Sequence, residues 1–188
     1  MTVLHCFDSV VAGAVPPAAL ELGYVDGDWP TYPALTDRFA GPQVTTRVLS
    51  VTVTGRPGAD IADCEQGNIG PSASAQWAKA ELQAGRHPAV YGSRDVLLEV
   101  QDALRRLRVN PALVGWWLAY YVQVAPRLEA VRWPGYVPAG FVAWQFADSI
   151  PVAGGHTIDA SVVRPVWARR HGWTGRGRGL HVTIGKAR

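Results

Sequence analysis

The chain has 188 residues, of which 48% are hydrophobic and 18% charged, with a formal net charge of +3. That is long enough to bury one real core and too apolar for a disordered chain. No run of about 18 apolar residues exists, which excludes a membrane-spanning helix, and Cys6 and Cys64 are too few for a disulfide framework or a zinc site.

The charge is uneven. Past Asp159 there is no acid, but there are seven basic residues: Arg164, Arg169, Arg170, Arg176, Arg178, Lys186 and Arg188. Without them 11 basic residues face 15 acids, so residues 1–163 carry about −4. A nucleic-acid partner would rest on this tail alone, with no motif behind it, and is not expected. The first residues, Met1 to Cys6, have neither a basic start nor a long apolar stretch, so no secretory signal is expected.

In chain order, Val3–Ser9 reads as a strand ending in Asp8. Pro16 and Pro17 break the chain. Leu20–Asp28 reads as a second strand ending in acids and a glycine, with Asp26 near its end. Tyr32–Phe39 suits a short helix, and the Val- and Thr-rich stretch Val44–Thr54 a third strand. Ala59–Glu65 is a fourth strand, broken by Gly67 and Asn68. Pro71 then opens a helix that runs to Ala84, with Gly85 just past its end. His87–Ser93, carrying Tyr91, is a fifth strand. Arg94–Leu107 is the clearest helix, because Val96, Leu97, Val100, Ala103, Leu104 and Leu107 form one stripe. Val114–Val122 is a sixth strand, on which Trp117, Ala119 and Tyr121 share a face. Phe141–Phe146, carrying Gln145, and Thr157–Val163, carrying Asp159, are the seventh and eighth. A Gly-Arg link at 175–179 leads to a last strand-like piece, Leu180–Ile184.

Strands and helices that alternate argue for parallel strands joined by crossovers. Eight strands in one domain predict a closed, irregular TIM-like β/α barrel with few helices, since only two helices are convincing. Residues 1–163 would form it, and 164–188 a basic C-terminal extension that suits a helix across the barrel bottom, an anchor to a partner protein or a link to cell-wall polymer. Such barrels put working side chains at the C-terminal ends of their strands, and Asp8, Asp26, Asp63, Glu65, Tyr91 and Asp159 all lie at or near predicted strand ends. With period 2, Asp63 and Glu65 share a face and Cys64 takes the other. Carboxyls set side by side raise one another's proton affinity, which suits a general acid beside a charge stabiliser. The same pattern also suits a solvated loop whose acids face water. Asp8 and Asp159 also fit as caps of the adjoining turns, Trp117 and Tyr121 as core fillers, and His5 and His156 as core and loop residues.

The Phe-Asp-Ser strand, Ala-Asp-Cys-Glu, Val-Tyr-Gly-Ser, Trp-Leu-Ala-Tyr-Tyr, Ala-Trp-Gln-Phe and Ile-Asp-Ala-Ser occur one after another in this order. This resembles the family 25 glycoside hydrolases, the lysozyme-type muramidases of bacteria and phages. Gly23–Gly27 adds a likeness to a glycoside-hydrolase-like branch of actinobacteria and their phages. The resemblance covers residues 3–163. It implies a helix-poor eight-stranded barrel that cuts the glycan strand of bacterial peptidoglycan without a metal or cofactor. It makes Glu65 the general acid, Asp63 the stabiliser of the charged intermediate or the orienter of an acetamido group, and Asp8 and Asp159 the rest of the acidic floor. Asp26, Tyr91, Trp117, Tyr121 and Gln145 would line the sugar sites. Cys64 replaces the small aliphatic residue usual between the two acids, and is expected to face the helices.

A second reading keeps the barrel without turnover, as a structural or glycan-binding module such as a phage tail or capsid component. The basic extension would then dock on a protein partner. Cytoplasmic synthesis, with action at the cell wall or carriage in a virion, is the expected setting of either.

Overall fold

The computed structural model describes residues 3–41, 45–122, 131, 133–135, 137 and 140–174. The link at 175–179 and the strand-like piece at 180–184 lie outside the described residues. Eight strands close into a barrel in sequence order: β1 Leu4–Asp8, β2 Leu20–Tyr24, β3 Arg47–Thr52, β4 Ile61–Asp63, β5 Ala89–Gly92, β6 Gly115–Ala119, β7 Phe141–Pro151 and β8 Thr157–Val163. Four α-helices accompany them among the described residues: α1 Tyr32–Arg38, α2 Pro71–Gln83, α3 Arg94–Arg106 and α4 Pro165–Arg170.

The helices start and stop where their sequences say. Gly70 is extended and Pro71 takes the first turn of α2, where its missing N–H costs nothing. At α3 the Ser93 side chain accepts from Val96 N, Asp95 sits in the first turn, and Arg105 and Arg106 sit in the last. Those charges oppose the helix dipole at both ends. Leu97, Val100, Ala103 and Leu104 form its buried face.

Strand alternation sorts the apolar residues into two layers. Leu4, Cys6, Leu20, Leu22, Leu49 and Ile61 fill the barrel interior. Phe7, Val48, Ala62, Cys64 and Val90 pack in the outer layer with the helix residues Leu35, Ala75 and Leu97. Cys64 therefore belongs with the helices, as its place between two inward acids requires.

The parallel arrangement breaks at one strand. Strands β1 to β7 pair in parallel, but β8 runs antiparallel to β7 and to β1. A parallel crossover takes about a dozen residues or more. The link 152–156 has no room for one, so β7 and β8 form a hairpin. Strand β7 also runs on to Pro151, past the expected end at Phe146.

Helix α4 and the turn after it close one end of the barrel. Trp167 on α4 joins the interior cluster and meets Trp117 edge to face, with ring centroids 5.9 Å apart. A side chain at position 115 would come within 2.9 Å of the Trp167 Nε1, so this approach needs Gly115. His171 lies against Trp167 with centroids 4.1 Å apart, and its Nδ1 is 2.9 Å from Asp60 Oδ1. Arg47 Nε donates to the His171 carbonyl at 2.7 Å. These contacts gather at the start of β3, β4 and β6, which leaves the other mouth open.

Candidate functional site

The open mouth is where the acids meet. Asp8 ends β1 and Asp63 ends β4. Cys6 and Ile61, two residues before each, lie in the barrel interior, so period 2 turns both carboxyls inward. Asp159 arrives by a different route. Because β8 is reversed, a residue near its beginning reaches the same mouth, and Asp159 is the direct register partner of Asp8. Strand β4 stops at Asp63 and not at Glu65. Cys64 N still donates to Tyr91 O at 2.9 Å, which carries the pairing one step further. Glu65 then stands exposed at the rim, while Asp8 and Asp63 are each 5% exposed.

These four acids line one deep pocket of about 60 Å³ together with Tyr91, Tyr121 and Gln145. The Tyr91 and Tyr121 hydroxyls are 3.2 Å apart. Trp117 lies beneath, wholly buried, with Nε1 donating to Ser161 Oγ at 3.2 Å. Its full burial puts it in the core, under the floor of the pocket. A wider lobe of about 360 Å³ continues from the pocket, sharing Tyr24, Asp63 and Glu65 with it. Asp26 lines this lobe rather than the deep pocket. Its carboxylate accepts from Thr52 Oγ1 at 2.5 Å, Val53 N at 2.7 Å and Thr54 Oγ1 at 2.6 Å.

Among the described residues no Lys, Arg or His lines either lobe, and the proton affinities reflect it. Burial pushes Asp63 up to about 7, helped by the charge of Glu65 and opposed by the Asn68 side chain. Burial also lifts Asp8, with Asp159 adding to the rise and the Tyr24 hydroxyl working against it. The Tyr24 hydroxyl lies 3.3 Å from Asp8 Oδ2. Glu65 is raised by partial burial and by Asp159, against a hydrogen bond from Tyr91. Asp159 is raised by burial and by Asp148, against Ser149 N and Gln145. Asp26 goes the other way. Burial would raise it, but its hydrogen bonds from Thr52, Thr54 and the backbone outweigh that, and it is lowered. A cluster that holds protons toward neutrality, beside a rim carboxyl reachable from solvent, can donate a proton to a bound ligand and then carry negative charge.

Sequence reasoning passed over Tyr24, Asn68, Asp28 and Trp29. Tyr24 was legible, because Leu20, Leu22 and Tyr24 alternate on one face of β2. Asp28, Trp29 and Asn68 sit in turns, where no periodicity says which way a side chain points.

No family model and no curated protein matches the sequence. Solved structures do. The spore cortex lytic enzyme SleM of Clostridium perfringens is similar at 11% identity, over 86% of this chain and 67% of that one, with a TM-score of 0.53. The CTP1L endolysin is similar at 14% identity over 80% of this chain, with a TM-score of 0.50. The chain spans 59% of the length of that endolysin. A family 25 lysozyme from Aspergillus fumigatus is similar at 14% identity over 90% of this chain and 98% of that one, with a TM-score of 0.49. These neighbours share the barrel fold with this chain at low identity. The expected resemblance is thus met at the level of the fold, and at these identities fold does not carry function with it.

Proposed function

We propose that this chain is a muramidase-like glycoside hydrolase that cuts the glycan strand of bacterial peptidoglycan. One observation carries the reading: Asp8, Asp63, Glu65 and Asp159, far apart in sequence, share one open pocket with no cation among its lining residues. A structural cluster of acids would be neutralised by Arg or Lys, because unpaired buried charge is costly. Here no lining cation compensates the acids; burial and mutual repulsion hold protons on them instead. A carboxyl that gives up its proton can then face an oxocarbenium-like transition state unpaired.

In this reading Glu65 is the general acid. It is the exposed member of the group, so a glycosidic oxygen in the groove can reach it. Asp63 is buried beside it, and burial together with the Glu65 charge pushes its proton affinity up to about 7. Glu65 gives its proton to the leaving glycosidic oxygen as that bond breaks, and ionised carboxylates of Asp63 and Asp159 stabilise the cation left on the sugar. Water then adds to the cation and returns a proton to Glu65. Tyr91 orients the Glu65 carboxyl, and Gln145 does the same for Asp159. The substrate class is taken from the sequence resemblance, and the barrel shared with a spore cortex lytic enzyme and an endolysin accords with it.

The test compares the protein with a Glu65→Gln variant on purified cell walls. The expected result is loss of reducing-end release by about 100-fold or more, the contribution of a positioned general acid. Equal release from both proteins would remove Glu65 from the chemistry.

A further inference from the structure

The wider lobe of the groove has a chemistry that the acids do not explain. It lies over the ends of β2 and β3, where Val10 and Trp29 stand 50% and 59% exposed on its lining. Lone exposed apolar residues are ordinary. This indole differs because the loop that carries it is anchored on both sides, at residues 24–26 and at Thr31.

Asp26 accepts its hydrogen bonds from Thr52, Val53 and Thr54. Arg56 Nη1 donates to Val25 O at 2.9 Å, and Tyr24 N donates to Thr31 Oγ1 at 3.1 Å. Gly27 has φ +79°, and a side chain there would come within 2.6 Å of Val53 Cγ2. Residues 24–31 are therefore anchored to β3 and closed on themselves. A preset aromatic surface binds at a lower entropy cost than one that must be ordered first.

The lobe runs into the deep pocket through Asp63 and Glu65, and Tyr121 stands 44% exposed in that pocket. Aromatic surface thus lies in both lobes, with the acids at the junction. Asp28 lies next to Trp29, and among the described residues no basic side chain lines either lobe. A sugar bearing carboxylate, sulfate or phosphate would meet like charge at close range.

We propose that the lobe beside Trp29 is a separate sugar subsite, where the indole takes the apolar face of a neutral or amine-bearing hexosamine ring and the carboxyl-lined walls exclude anionic sugars. The inference rests on the hydrolase reading for the kind of polymer, but its test is binding alone. A pyranose ring offers a C–H face that stacks on an indole, while its hydroxyls remain free for Asp28 and Asn68.

The experiment uses the full chain carrying Glu65→Gln, so that probes bind without being cut. Calorimetry would measure tetramers of N-acetylglucosamine, glucosamine and galacturonate, with and without Trp29→Ala and Trp29→Phe. Trp29→Ala is expected to weaken the N-acetylglucosamine tetramer about tenfold, the worth of one aromatic contact of about 1.4 kcal/mol. Trp29→Phe should recover most of that loss. The glucosamine tetramer should bind more weakly as salt is added, and the galacturonate tetramer should not bind. Thermal melts of the Trp29 variants, expected to match the parent because the side chain is exposed, separate binding from folding. Unchanged tetramer affinity in Trp29→Ala would overturn the proposal, as would equal binding of galacturonate or no binding of any probe. If Glu65→Gln kills cleavage while Trp29→Ala leaves affinity untouched, the hydrolase reading stands and the subsite falls. Trp29-dependent binding beside undiminished cleavage by Glu65→Gln gives the reverse.

Discussion

Asp8 and Asp159 face each other across the antiparallel ladder of β1 and β8. They are 151 positions apart in sequence and direct partners in the barrel. Asp159 raises the cost of charging Asp8, and Asp8 Oδ1 is buried with no hydrogen-bond partner. Asp159→Asn should therefore lower the proton affinity of Asp8, since it removes the neighbouring charge and leaves burial unchanged. Carboxyl-carbon NMR titrations of the two proteins would measure this. An Asp8 titration that does not move toward lower pH contradicts the pairing.

Asp63 makes the site a source of instability above acid pH. Its folded proton affinity, about 7, lies above the ordinary carboxylate value of 3.8. The folded state then binds more protons than the unfolded state between those two values, so stability falls as pH rises through the window. Asp63→Asn removes the charge while keeping the shape. It should raise stability by about 2–4 kcal/mol at pH 8 and by almost nothing at pH 4. Denaturant melts at both pH values check it. Its activity should fall at the same time, the trade expected where a site is built at the expense of stability.

Asp26 contributes with the opposite sign. Its hydrogen bonds hold its proton affinity below the ordinary value, so what it adds is present above pH 3.8 and is lost as pH falls through its lower folded value. Asp26→Ala should cost about 1–2 kcal/mol at neutral pH, from hydrogen bonds to Thr52, Val53 and Thr54 that are partly exposed to water. Binding in the Trp29 lobe should weaken with it, because the same bonds set the loop. A melt unchanged at pH 7 would show that the loop has other anchors.

Trp167 closes the far end of the barrel at 4% exposure. Trp167→Ala would leave a cavity against Trp117 and the Ala89–Gly115 contact. The expected loss is about 3–5 kcal/mol, the usual range for emptying a large aromatic site. Thermal melting checks the size. Carboxyl titrations of Asp8 and Asp63 in the surviving folded protein should stay put, because the plug lies at the opposite end from the acids.

The barrel itself was legible in the chain because its signals are local. Period 2 in Leu4, Cys6 and Asp8, or in Ile61 and Asp63, states which residues share a face. The stripe of α3 and the Pro71 and Ser93 starts state where helices begin. Asp8, Asp63 and Glu65 could be placed together on that basis, since they stand at or just past the C-terminal ends of their strands. Periodicity carries no direction, however. It could not say that β8 turns back on β7, and so that Asp159 reaches the mouth from near the beginning of its strand. Nor could it choose, among the roles open to the residues after β8, the six-residue helix that seals the barrel with Trp167. Those outcomes depend on ring closure, on links too short to cross over, and on which large side chain fits the remaining space. The uncompensated charge of the groove and the exposed face of Trp29 belong to the same class. Each depends on which neighbours are absent in space, and absence in space is a property of the folded chain alone.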